Sequence, residues 1–108
     1  MFAVIKTTHP TLAATSWTKV NTKTGDYRKF LQLVSEDATN ILRVELTGNG
    51  APAPTLATEG FPLAKATTAG PSISGIYREH GDKRSSGDVY VYNPTGGALT
   101  TLAVTEGQ

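Results

Sequence analysis

Arg28-Lys29-Phe30-Leu31-Gln32-Leu33-Val34, then Ser35-Glu36-Asp37-Ala38-Thr39-Asn40, then Ile41-Leu42-Arg43-Val44-Glu45-Leu46 is the stretch that decides the fold. The last piece puts Leu42, Val44 and Leu46 on one side and Arg43 and Glu45 on the other. A period of two with one apolar side is what a half-buried antiparallel strand requires. The first piece is rich in apolar and aromatic residues and reads as a second strand. The six polar residues between them read as a hairpin loop.

Working outward, the same period recurs and the helical one does not. No window of 11 residues or more carries an apolar stripe at i, i+3, i+4 and i+7. Phe2-Ala3-Val4-Ile5-Lys6 reads as a short first strand. Leu12 to Val20 holds an extended piece around Trp17. Ser72 to Glu79, Asp88 to Asn93 and Ala98 to Val104 read as further strands. Asn93-Pro94-Thr95-Gly96-Gly97 reads as a hairpin connection between the last two. Thr47-Gly48-Asn49-Gly50 ends its strand because Asn-Gly takes positive φ readily. Short-looped strands without crossover helices predict an all-β chain: a small antiparallel β-sandwich or barrel, jelly-roll-like at the coarsest level. Its 108 residues fit one domain.

Two segments stand outside this pattern. Met1 to Ala14 reads as an extended N-terminal arm. Ala51 to Pro71 holds four of the six prolines and no alternation. So long a structureless loop is unusual inside a compact domain. It is either a surface crossover pinned by Phe61 and Leu63, or an arm lying on a neighbouring subunit.

Composition narrows the function. With 10 Lys+Arg against 9 Asp+Glu the net charge is +1, without the basic excess of a domain that binds nucleic acid by charge density. The loose cluster Lys19, Lys23, Arg28 and Lys29 is interrupted by Asp26 and reads as a solvated face or a subunit contact. There is no cysteine, which removes disulfides, thiolate metal sites and thiol nucleophiles together. It also fits folding in a reducing cytoplasm. No apolar run approaches the ~20 residues of a membrane helix, so no membrane partner is expected. Met1-Phe2-Ala3-Val4-Ile5-Lys6 lacks the layout of a signal peptide. Hydrophobic residues are only 38%, many of them Ala. So lean a core leads us to expect help from copies of the chain or from a larger assembly.

Candidate chemistry is sparse. Glu79, His80 and Asp82 could ligate a metal only from within one charged loop, Arg78 to Arg84, which reads better as a solvated hairpin tip. Glu45, Glu59, Asp88 and Glu106 stand in ordinary exposed contexts. No strained serine elbow is present, and Gly48-Asn49-Gly50 precedes prolines rather than a helix, so it is no phosphate loop. No enzyme activity, metal or cofactor is expected. The aromatic residues Trp17, Tyr27, Tyr77, Tyr90 and Tyr92 are more informative. Tyr90 and Tyr92 share one face of a strand, with Val89 and Val91 on the other. An outward tyrosine pair suits a protein interface or a sugar-binding platform.

The order of these motifs resembles that of small β-rich virion proteins of tailed bacteriophages. The matching pieces are the Arg28-led strand with its polar turn into Ile41 to Leu46, and Thr58-Glu59-Gly60-Phe61-Pro62-Leu63. Gly87-Asp88-Val89-Tyr90-Val91-Tyr92 and the last strand ending at Glu106 complete them. The resemblance covers about Arg28 to Glu106 and rests on short motifs in order. Two departures are the drawn-out Ala64 to Pro71 and the long Arg78 to Ser86 segment. The resemblance implies a structural role, commonly a capsid decoration (cement) protein on the outer surface of the head, made in the host cytoplasm. Its expected partners are the major capsid protein and other copies of the chain, with a trimer at a local threefold favoured. The alternatives are a neck or tail component, or a carbohydrate-binding module displayed on the virion. The expected contact residues are Phe2, Val4, Ile5, Leu12, Leu56, Phe61, Leu63, Tyr90 and Tyr92.

Overall fold

The alternation of the opening stretch is realised residue by residue. β3 (Phe30–Ser35) buries Leu31, Leu33 and Ser35 and leaves the residues between them half-exposed. β4 (Leu42–Leu46) buries Leu42 and Val44 and turns Arg43 and Glu45 outward. The computed structural model describes residues 5–22, 30–48, 50–65, 76–80 and 87–107. Among these the other strands are β1 (Ile5–Thr8), β2 (Ser16–Lys19), β5 (Phe61–Leu63), β6 (Ile76–His80), β7 (Val89–Asn93) and β8 (Leu102–Gly107), and there is no helix.

The strands form two four-stranded antiparallel sheets, ordered β1-β8-β3-β6 and β2-β7-β4-β5. The pairs β1·β8, β2·β7, β3·β6 and β4·β5 are those of one long hairpin, first strand with last, folded inward. The ladders β8·β3 and β7·β4 then stitch the wound hairpin into two sheets. That is the eight-stranded jelly roll, and the all-β sandwich expected from the alternation is what the chain adopts.

Two connections are not what their sequences suggest. Residues 36–41 join β3 to β4, yet the two strands lie in different sheets. Residues 94–101 likewise carry the chain from β7 across to β8. Both are crossings between layers rather than hairpins. The polar residues that suggested hairpins instead tie down the crossings. Asp37 accepts from the backbone N–H of Thr39 (3.0 Å) and Asn40 (2.8 Å), and its other oxygen takes the Thr101 hydroxyl (3.0 Å). Asn93, fully buried, donates to the carbonyls of Leu12 and Gly97 and accepts from the N–H of Thr95. The last strand therefore starts later than Ala98. Residues 98–101 belong to the crossing, where Leu99 bridges Leu12.

The core is built from leucine and valine. Leu31, Leu33, Leu102 and Val104 from the first sheet meet Leu42, Val44, Val89 and Val91 from the second, all 0–1% exposed. Each such side chain contributes on the order of 1.5–3 kcal/mol. Among the described residues no aromatic side chain is fully buried. Phe61 and Tyr77 instead close the open side between edge strands β5 and β6, ring centroids 5.2 Å apart.

The segments that stood outside the alternation are partly absorbed. From Ile5 the expected arm is an edge strand, paired with β8 through Val104 to Gly107, and Leu12 is a core residue. Of the loop Ala51 to Pro71, residues 61–63 form β5; residues 66–71 lie outside the described residues, as do Met1 to Val4. Backbone approaches fix two glycines. Gly60 has φ +78°, and a Cβ at Gly87 would land on the Thr47 carbonyl.

Candidate functional site

The outer face of the second sheet gathers the chain's unusual side chains. Directly opposed residues on antiparallel strands share a face. The register therefore builds one row of Trp17 (β2), Tyr92 (β7), Arg43 (β4) and Pro62 (β5), and beside it a row of Lys19, Tyr90 and Glu45. The inward valines force this arrangement. Val89 and Val91 are fully buried, so Tyr90 and Tyr92 point out and stay half-exposed. Trp17 and Tyr92 touch, with ring centroids 5.3 Å apart and planes tilted by 50°.

The loop before β5 is anchored to this face. Arg43 donates from Nε to the Glu59 carbonyl (2.8 Å) and from Nη2 to those of Gly60 (2.7 Å) and Thr58 (3.2 Å). The Glu59 carboxylate accepts from the N–H of Thr55 (2.9 Å) and Leu56 (2.8 Å). The Trp17 indole donates to the Leu56 carbonyl (3.2 Å). Both polar backbone groups of Leu56 are thus tied, while its side chain is 61% exposed. Residues 55–60 are thus held against this face by Arg43, Glu59 and Trp17.

The residues expected at a partner contact divide into four groups. Leu56 and Tyr92 meet around Trp17, and Tyr90 lies beside them. Leu12 and Leu63, at 0% and 1% exposure, lie in the core, where Leu12 bridges Leu99 and Leu63 pairs with Leu42. Phe61 turns inward onto Tyr77 at the sheet edge. Ile5 lies in the β1 ladder opposite Gly107, and Phe2 and Val4 lie outside the described residues.

Several carboxylates are not as exposed as their sequence contexts suggest. Asp88 and Glu106 are 4% and 5% exposed. Asn21 donates to Asp88 (3.1 Å), as does the N–H of Gly50 (3.2 Å), and the N–H of Thr22 donates to Glu106 (2.7 Å). Glu79 sits in β6 rather than in a loop, 3% exposed, and takes the Tyr77 hydroxyl (2.8 Å). The Asp88 and Glu106 contacts tie residues 21, 22 and 50 to β7 and β8. Among the described residues no cluster of His, Asp and Glu could hold a metal ion. Asp82 falls outside them.

The anchoring roles of Arg43 and Glu59 escaped the sequence reading because their partners are backbone atoms, which carry no residue signature. Comparisons of the chain with protein-family models, with curated proteins and with solved structures return no match.

Proposed function

We propose that the chain is a structural protein of a tailed-bacteriophage virion: a capsid decoration protein that binds and stabilises the assembled head. The observation that carries this reading is the anchored loop at residues 51–60. Its first eight residues are uncharged, and its backbone is immobilised by Arg43, Glu59 and Trp17. It presents Leu56 to solvent at 61% exposure. A rigid apolar projection loses little conformational entropy on binding, which is the property of an interface anchor. The motif order that resembles small phage virion proteins, and a jelly-roll topology that recurs in viral capsid domains, support the same reading by analogy.

Stabilisation would follow from linkage. A protein that binds only the assembled lattice adds its binding free energy to that state. A trimer at a local threefold axis would present three copies of the loop, and multivalency would turn weak contacts into a tight one. The chain would act on the outer surface of the head, against the major capsid protein.

Copy number tests the assignment. Purified particles should carry the chain at roughly hundreds of copies, whereas a neck or tail component would appear at about a dozen, the stoichiometry of one closed ring. Absence from every virion fraction would sink the proposal. Leu56→Asp should leave the fold intact and abolish co-sedimentation with capsids. If that variant still co-sediments like the wild type, the loop is not the contact.

A further inference from the structure

We propose that the outer face of the second sheet is an oligosaccharide-binding site, independent of the virion assignment. In it Trp17 and Tyr92 receive sugar ring faces, while Tyr90, Glu45, Lys19 and Arg43 bond the hydroxyls.

The inference rests on which groups on this face are already engaged. The rings of Trp17 and Tyr92 touch at a 50° tilt, so two aromatic faces stand side by side at an angle. The Trp17 indole is held in place by the Leu56 carbonyl, so the platform is preorganised. Tyr90 stands two residues along the same strand, about 7 Å away at the rise of a β-strand. That spacing extends the platform beyond one sugar ring to a second. Around these rings the polar groups are uncommitted. Tyr90, Tyr92, Lys19 and Glu45 make no side-chain hydrogen bond or ion pair with any described residue, and Arg43 keeps Nη1 unused after bonding three carbonyls. Lys19 and Glu45 flank Tyr90 on its two neighbouring strands.

Other occupants fit this face less well. Charged residues are depleted at the core of a protein interface. A protein seated here would have to desolvate Lys19 and Glu45, which are not paired with each other. A nucleic-acid strand would meet Glu45 in the middle of the face and only Lys19 and Arg43 as cations, too few for a phosphate track. A sugar has apolar C–H faces for the rings and a rim of hydroxyls that both donate and accept. It matches aromatic surface, cations and a carboxylate at once. The outer face of the first sheet makes the contrast. One row across it is Thr7, Thr105, Gln32 and Arg78, already bonded in pairs by Thr7–Thr105 and Arg78–Gln32.

The chain has one tryptophan, so its emission reports on this face alone. The full chain is titrated with a panel of neutral and acidic oligosaccharides up to millimolar concentration, following Trp17 fluorescence and binding heat. At least one should bind with a change in Trp17 emission. Tyr92→Ala should then weaken binding about tenfold, the factor that one aromatic stacking contact carries. Tyr90→Phe, which removes a single hydroxyl, should weaken it by a smaller factor. Gln32→Ala, on the other sheet, should leave it unchanged, and circular dichroism verifies that each variant keeps its strand content. The proposal is overturned if no oligosaccharide of the panel binds. It is overturned equally if folded Tyr92→Ala and Tyr90→Phe bind like the wild type.

Discussion

At the scale of single residues, Asp37 is a carboxylate held by several donors at once. Burial alone would raise its pKa. The opposing effect is larger: backbone N–H groups of Thr39 and Asn40 and the side chains of Asn40 and Thr101 all donate to it and hold its pKa at about 2. A carboxylate whose pKa is depressed on folding adds stability that is fully present above its unfolded value near 3.8. That stability is lost as pH falls through the folded value. The contribution is on the order of 2 kcal/mol. Denaturant melts at about pH 7, 4, 3 and 2, which bracket the folded and unfolded values, should show wild-type stability falling across the lower part of the range. Asp37→Ala should be less stable at neutral pH and show a flatter dependence. An unchanged acid slope in the variant would mean other carboxylates carry it. Thr15 is a second constrained residue, the described non-glycine residue with positive φ, at +48°. Both its N–H and its hydroxyl bond the Thr95 carbonyl, which holds a conformation that a β-branched residue otherwise avoids.

At the scale of elements, the loop before β5 depends on one guanidinium. Arg43 lies mid-strand in β4 and reaches three consecutive carbonyls, using the planar donor fork that lysine lacks. Arg43→Lys keeps the charge and loses the fork. We expect hydrogen exchange at Thr55 and Leu56, whose N–H groups are held by Glu59, to speed up about tenfold, the equivalent of losing ~1.4 kcal/mol of local stability. Exchange at Val91 and Val104 in the core should stay slow. If Thr55 and Leu56 remain equally protected, the proline-rich sequence rather than Arg43 orders the loop. The same element shows how far a sequence can be read. Thr58 to Leu63 is recognisable as a motif, and Tyr90 and Tyr92 are legible as outward because Val89 and Val91 alternate with them. The clamp is not legible, since a backbone carbonyl is available at every residue and only the path of the chain brings these three to Arg43.

At the scale of the whole molecule, the wound hairpin makes the first strand and the last interdependent. Among the described residues β1 pairs with β8 alone, from Ile5 opposite Gly107 to Thr8 opposite Val104. Removing residues 1–10 therefore bares one edge of β8, an unpaired strand edge being a template for association. The truncated chain should keep its β-rich circular dichroism, melt at lower temperature and self-associate in size-exclusion chromatography. A truncated chain that stays monomeric with an unchanged melting temperature would show that β1 contributes nothing to the sandwich. The sequence by itself determined that the chain is all-β, where most strands lie and which side chains each strand turns inward, because alternation is a property of consecutive residues. It could not determine which strands are neighbours. Residues 36–41 and 94–101 have the composition of hairpin turns, yet each crosses between sheets. Nor could it show that Asp88, Glu106 and Glu79 are buried, or that Leu12 and Leu63 belong to the core. Asn21 reaches Asp88 across 67 residues of the chain and Thr22 reaches Glu106 across 84. Partners that distant are chosen by the winding of the two sheets, so only the tertiary structure decided them.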